Sequence, residues 1–203
     1  MFENISSNIS SSTIPITEVL STDGNMRRAV WGRLYKTECI MCNRFPLDIQ
    51  YGEDQIFNLL VGSNVSCESV TVLDAPLYFY YQSRTDSLVN LKDIEAEYKV
   101  GCWLLENLNL FKRTKFVIIS ALSALLCYRY ECSFSSEAKL RKRKVNKKIR
   151  IAMHLLFCEK DVSLLLKIKY SILSISSLLY RILLIIRDPS YLHYEKIIKQ
   201  RNK

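Results

Sequence analysis

The sequence predicts an α/β chain with a mixed first part, residues 27–90, and a mostly helical second part, residues 91–203. In the first part, glycine and proline separate short runs rich in β-branched and aromatic residues. In the second part, which holds a single proline, apolar residues recur at helical spacing. The charge changes at the same place: residues 1–90 hold six Lys/Arg and ten Asp/Glu, and the remainder holds twenty-three Lys/Arg and ten Asp/Glu. We therefore expect two parts with different partners.

Composition favours a folded, cytoplasmic protein. Of the 203 residues, 49% are apolar, which is too high for a disordered chain. Residues 1–26 begin polar and rich in Ser and Asn, so we expect a poorly ordered lead-in without a secretory signal. Seven cysteines, an odd number, lie scattered along the chain, which fits free thiols in a reducing compartment. Cys39 and Cys42 have the spacing of a metal or redox pair, but no second Cys pair or His lies nearby.

Short elements are expected in the first part. Residues 29–35 have strand character and lead into a short helix over residues 37–42. A second helix starts at Glu53 and stops at residues 62–64, which read Gly-Ser-Asn. Two further strands are predicted over residues 65–73 and 75–81.

Five helices are expected next; the third and fourth have unusual surfaces, and the fifth is a polar, basic tail over residues 191–203. The first two cover residues 94–108 and 115–131. The third starts near residues 135–137 and holds eight Lys/Arg within residues 139–150. The fourth is a single long aliphatic helix over residues 162–186. Its uncharged stretch is too short to span a bilayer, so we expect it to lie in the membrane interface.

A pair of carboxylates, Glu53 and Asp54, opens the second helix of the first part. Gly52 lets the backbone turn tightly just before them. Acidic residues are favoured at the positive N-terminal end of a helix, so an acidic helix start explains the pair without a catalytic role. The surrounding sequence supports a second interpretation.

Five short motifs in order carry a resemblance to a known family. They are WGRLYK at residues 31–36, RFP at 44–46, YGED at 51–54 with Phe57, DAPLYFY at 74–80 and QSRTDS at 82–87. This succession resembles the acceptor-side half of a family 2 glycosyltransferase with the GT-A fold. Enzymes of this family build bacterial capsule and other surface polysaccharides. The resemblance covers residues 27–90, and the helical remainder is only generically similar to the basic tails of these enzymes.

The resemblance implies roles for five residues. The family transfers a sugar from a nucleotide-sugar donor to an acceptor hydroxyl of a glycan or lipid-linked glycan, with inversion. It implies that Asp54 is the general base and Glu53 its neighbour, which would contact acceptor hydroxyls. Trp31 would offer a flat face to a sugar ring, and Arg33 and Arg84 would meet carboxylate or phosphate oxygens. Trp31 as a core residue and Arg84 as a surface charge remain open alternatives.

The sequence departs from the family by lacking the donor half. The complete enzyme has an apolar nucleotide-binding strand and an Asp-x-Asp motif that holds Mg²⁺ or Mn²⁺ against the diphosphate. Neither motif is in this sequence, so no metal ligand is assigned here. We expect an incomplete enzyme, marginally stable and inactive unless a separately encoded N-terminal half complements it.

The basic second part leaves three interpretations open. Its cations form solvated helix faces, or they contact anionic lipids on the inner face of the plasma membrane. Nucleic-acid binding is the weakest of the three, because no recognition motif accompanies the charge. The alternative to a glycosyltransferase is thus a non-catalytic, membrane-associated helical interaction protein that keeps a glycosyltransferase remnant. Only His154 and His193 are available as histidine bases, and both are expected to be structural or solvated.

Overall fold

Helices dominate the part of the chain that the structure describes. The computed structural model describes residues 10–21, 33–64, 68–74, 95–134 and 137–187. Within these ranges, eight α-helices accompany one two-stranded sheet. The expected α/β character therefore holds only loosely, because the chain is mostly helical.

The sheet joins two segments that are distant in sequence. Strand β1, Ser10–Pro15, pairs antiparallel with strand β2, Ser69–Asp74, so that Ser10 lies opposite Asp74. Helix α1, Ile16–Ser21, follows β1 directly. The expectation of poor order does not hold for residues 10–21. Local composition missed the strand because its backbone hydrogen bonds come from a partner strand more than fifty residues away.

Helix α1 is held by apolar contacts with the helix that carries the two carboxylates. Ile16, Val19 and Leu20 are buried, at the spacing of one helical face. Helix α3, Glu53–Asn64, leaves room for them at Gly62, where a Cβ atom would lie 2.8 Å from Leu20 Cδ2. A larger residue at position 62 would force the Leu20 side chain to shift.

The last turn of α3 is tied to the loop that precedes a central helix. The Asn64 amide donates to the Leu110 carbonyl at 2.8 Å, and the Arg113 guanidinium donates to the Gly62 carbonyl at 2.6 Å. The Arg113 backbone N–H also donates to Ser63 Oγ at 2.8 Å. These bonds satisfy groups that a helix end leaves unpaired. The predicted start at Glu53 and stop at residues 62–64 agree with the observed bounds.

The remaining helices in the described residues agree with the predicted positions, apart from that over residues 162–186; the predicted tail helix over residues 191–203 lies outside the described residues. The short helix α2 covers Thr37–Ile40. Three longer helices follow in the second part: α4, Ala96–Glu106, α5, Thr114–Glu131, and α6, Ala138–Cys158. Single 3₁₀ turns, Leu108–Leu110 and Cys132–Phe134, follow α4 and α5. Gly101 of α4 lets α5 approach closely, since a Cβ atom there would lie 2.7 Å from Leu125 Cγ.

The prediction of one long helix over residues 162–186 is wrong. Two helices replace it: α7, Leu164–Ile175, and α8, Ser177–Arg187. The chain changes direction by 118° between them. Ser176 is extended at the break, with φ −133° and ψ 129°. The aliphatic periodicity continues through the break and favours a single helix. The local signal for the break is Ser176, whose hydroxyl accepts the Leu178 backbone N–H at 3.2 Å, as an N-cap serine does. Contacts with α5 also hold the end of α7.

Two helices link the two hydrophobic clusters of the molecule. The first cluster joins α1 and α3 to α4 and α5, and includes Ile56, Leu104 and Val117. The second joins α4 and α5 to α6, α7 and α8, and includes Tyr98 and Leu156. The change in composition near residue 90 therefore does not separate two cores, because α4 and α5 belong to both clusters.

Candidate functional site

A glycine turn positions the two carboxylates. Gly52 has φ +85°, in the region that side chains rarely adopt, and a Cβ atom there would lie 2.7 Å from Val100 Cγ2. Its carbonyl accepts the Ile56 backbone N–H at 3.2 Å, which is the first helical bond of α3. The turn thus sets how closely the start of α3 packs against α4, and it places Glu53 and Asp54 in the first helical turn.

Glu53 and Asp54 are both half-buried. Burial raises the pKa of the Glu53 carboxyl, and the neighbouring charge of Asp54 raises it further. Backbone hydrogen bonds at the helix start lower the same pKa, but they do not offset the burial. The Glu53 pKa therefore lies above its ordinary value, so Glu53 holds a proton more readily than a free Glu does.

Arg33 and Tyr35 lie beside the carboxylates. The Tyr35 hydroxyl donates to Asn58 Oδ1 at 2.5 Å, and Asn58 is buried in α3 one turn after Asp54. Burial raises the Tyr35 pKa, a hydrogen bond and the charge of Arg33 lower it, and the charge of Asp54 raises it. The tyrosine hydroxyl therefore lies within reach of both a cation and an anion. Two residues that the sequence singled out, Arg33 and Asp54, thus both lie close to Tyr35.

Tyr35 and Asn58 were not predicted as site residues. Tyr35 belongs to the motif of residues 31–36, and Asn58 lies four residues after Asp54 on the same helix face. The helical spacing of Asn58 is a usable signal for a polar neighbour of Asp54. The hydrogen bond to Tyr35 joins positions 23 residues apart and has no local signal.

Aromatic rings form one side of this cluster. Phe45 and Phe57 stack with their centroids 4.2 Å apart and their planes 6° apart, and Tyr35 meets Phe57 edge-on at 5.8 Å. Phe45 remains partly exposed, whereas Phe57 is buried. Three of the recognised motifs, those holding Tyr35, Phe45 and Phe57, thus meet at one place. Such rings restrict the motion of the polar groups beside them.

The other predicted site residues have varied outcomes. Trp31 and Arg84 lie outside the described residues, as does His193. Cys39 and Cys42 are free thiols at α2. In the described ranges, no group of three or more His, Cys, Asp or Glu side chains is arranged to hold a metal ion. His154 and Cys158 are exposed on α6, with Nε2 and Sγ 3.8 Å apart.

The described residues of the second part include helices that are candidates for crossing a membrane. One helical stretch, Thr114–Phe134, is long and apolar enough to cross a membrane, but most of it is buried in the core of the protein. The bent pair of α7 and α8 passes the same test only if the two helices are counted as one span. Length and composition alone are weak evidence for a membrane crossing, since core helices of soluble proteins share both properties.

No protein-family model matches the chain, and neither the curated proteins nor the solved structures contain a match to it.

Proposed function

We propose that this chain is the acceptor-side part of a family 2-like glycosyltransferase of bacterial surface polysaccharide synthesis. The observation that carries the proposal is the grouping of Arg33, Tyr35 and Asp54 at the glycine turn before α3. The motifs that resemble the family are separate in sequence, and residues from three of them contact one another here. We also propose that this part of the chain contributes to a GT-A fold.

In this function, Asp54 removes a proton from the acceptor hydroxyl. The acceptor oxygen then forms a bond to the anomeric carbon of the donor sugar, and the nucleoside diphosphate leaves from the opposite side, which inverts the anomeric configuration. Glu53, with its raised pKa, holds a proton more readily and suits a hydrogen bond to an acceptor hydroxyl. Arg33 suits a phosphate or carboxylate oxygen of a substrate.

A separately encoded half would supply the donor site in this proposal. That half would bring the nucleotide-binding strand and the Asp-x-Asp motif. Mg²⁺ or Mn²⁺, when bound there, would neutralise charge on the leaving diphosphate. We assign no residue of this chain to the metal.

The first experiment is to translate the DNA upstream of this sequence in all three frames. An apolar strand, a Pro-x-Tyr-Asn-like turn and an Asp-x-Asp would identify the partner half, and it would be co-expressed with this chain. We expect surface polysaccharide in cells that hold both halves and none in cells that hold Asp54→Asn instead. Asp48→Asn, an exposed carboxylate in a nearby turn, is the matched control. Undiminished polysaccharide with Asp54→Asn would reject the catalytic role.

A second candidate function is a non-catalytic, membrane-associated interaction protein. The aliphatic exposed faces of α7 and α8 favour it, because large exposed apolar patches mark interaction surfaces. Under this candidate, the upstream DNA encodes no donor half, and Asp54→Asn changes no glycan product. The same two experiments therefore separate the two functions.

A further inference from the structure

The exposed faces of α7 and α8 are entirely aliphatic. Between Leu164 and Ile186, every residue that is exposed to solvent is Leu or Ile. The nine residues, here named the aliphatic surface, are Leu164, Leu165, Ile168, Ile172, Ile175, Leu178, Leu179, Ile182 and Ile186. A surface helix of a soluble protein shows the reverse arrangement, with its polar residues outward. The aliphatic surface is therefore a site for an apolar partner.

Polar anchors hold the opposite faces of α7 and α8 on the core. The Ser123 hydroxyl lies 3.1 Å from the Tyr170 hydroxyl, and the Tyr180 hydroxyl donates to the Ser123 carbonyl at 3.1 Å. The buried Arg129 guanidinium donates to the carbonyls of Leu173 and Ser174 at the end of α7. These bonds come from α5 and reach both helices. The outward orientation of the aliphatic surface is thus fixed by the core.

Neither helix is long enough to cross a bilayer. Helices α7 and α8 have 12 and 11 residues, or about 18 and 17 Å. A bilayer core is about 30 Å thick and needs about 20 helical residues. The angle of 118° between them also prevents one continuous span. A helix of this kind, apolar on its free face, suits a position in the plane of the membrane interface.

The charged residues of the helices that carry and adjoin the aliphatic surface have one sign. Helices α6, α7 and α8 contain no Asp or Glu. On α6, an exposed face presents four cations that form no ion pair with the described residues; they are Lys139, Arg143, Lys147 and Arg150. Lys167 of α7 donates to the carbonyls of Phe157 and Glu159, which joins the end of α6 to α7. Cations beside apolar helices complement the negative surface of a bilayer that contains anionic lipids.

We propose that the aliphatic surface inserts in plane into an anionic lipid bilayer, with the cations of α6 contacting lipid headgroups. The inference does not depend on the proposed glycosyltransferase activity, because lipid binding is measured without any sugar substrate. It adds a defined surface to the interaction expected from composition. It also replaces the single interfacial helix expected from the sequence with two helices joined at a bend.

The test is flotation of the full chain with lipid vesicles. We expect the chain to float with phosphatidylcholine vesicles that contain phosphatidylserine, and to float less at high salt. The double variant Ile168→Gln/Ile172→Gln should lower vesicle partitioning by about tenfold or more, since two apolar side chains no longer enter the interface. Leu110→Gln is the matched control, because Leu110 is 46% exposed, as Ile168 is, but lies outside the aliphatic surface. It should float like the unchanged chain.

A second variant tests the cations. Lys139→Gln/Arg143→Gln/Lys147→Gln should lower partitioning onto phosphatidylserine vesicles by about tenfold or more and leave partitioning onto pure phosphatidylcholine unchanged. Far-UV circular dichroism should be equal for all variants, since each altered side chain is exposed or outside the core. Failure of the unchanged chain to float would overturn the proposal. A chain that binds no vesicles, and instead sediments as a dimer that Ile168→Gln/Ile172→Gln abolishes, would also overturn it and would assign the aliphatic surface to a second copy.

Discussion

Gly52 is the residue on which the geometry of the candidate site depends most directly. Gly52→Ala should destabilise the protein by about 2–4 kcal/mol, because alanine is strained at φ +85° and its Cβ would meet Val100. Urea unfolding gives the free energy. In the double variant with Val100→Ala, the total loss should be about 1 kcal/mol less than the sum of the single losses, since the close contact is then absent. Strict additivity would show that Val100 imposes no constraint.

Glu53 gives the site a dependence on pH. Its pKa is raised in the folded state, so the native protein binds this proton more tightly than the unfolded chain does. The stability that this proton contributes is present below the unfolded-state pKa and is lost as pH rises through the folded-state pKa. Glu53→Gln should therefore raise the Tm at pH 7, and the gain should shrink on acidification through the range where Glu53 takes up its proton.

Thermal unfolding at a series of pH values measures this effect. Glu38→Gln is the matched control, because Glu38 also lies in the first turn of a helix but is exposed. A Glu53→Gln variant that is less stable than the unchanged protein at neutral pH would contradict the assignment of burial as the dominant cause.

At the scale of the element, the bend between α7 and α8 is stabilised by Arg129. This buried cation donates to two carbonyls at the end of α7, where the helix dipole also favours positive charge. Burial lowers its pKa. Arg129→Ala should cost about 2–4 kcal/mol in urea unfolding, since it leaves two carbonyls without their partner. Arg143→Ala, an exposed cation on α6, should cost less than about 0.5 kcal/mol. Equal losses for the two variants would remove the special role of Arg129.

The same bend shows why some elements could be predicted and others could not. Helix α3 has local signals at both ends, Gly52 with two acids at its start and Gly-Ser-Asn at its stop, and its bounds were predicted. The break at Ser176 has a weaker local signal, a single N-cap serine within an aliphatic run, and it is also held by Arg129 and Ser123, which lie about fifty residues earlier. Strand β1 likewise depends on β2. Elements whose hydrogen bonds come from distant residues leave little trace in local sequence.

At the scale of the whole molecule, the first and second parts share their core. Buried residues of α3 contact buried residues of α4 and α5, so the boundary in composition near residue 90 is not a boundary in packing. Charge and glycine content describe the surface and the turns, whereas the core depends on apolar faces that meet across the boundary. The carboxylates of α3 are therefore positioned by α4, through Val100, as much as by their own segment.

The candidate site was predicted in part. Glu53, Asp54 and Arg33 follow from motifs that the sequence shows in order, and in the structure Arg33 and Asp54 both lie close to Tyr35, while their roles stay predictions. Tyr35 and Asn58 required the fold, because the hydrogen bond between them joins two separate segments. Trp31 and Arg84 lie outside the described residues, so their roles stay predictions.

The most direct measurement of the central claim is release of nucleoside diphosphate by a purified complex of this chain with its upstream-encoded half. A panel of nucleotide sugars would serve as donors, and membranes of the host as acceptor. We expect acceptor-dependent release from one donor, a loss of at least about 100-fold in kcat for Asp54→Asn, and no loss for Asp48→Asn. This chain alone should release nothing. Equal rates for the Asp54→Asn complex and the unchanged complex, or transfer by this chain alone, would contradict the account.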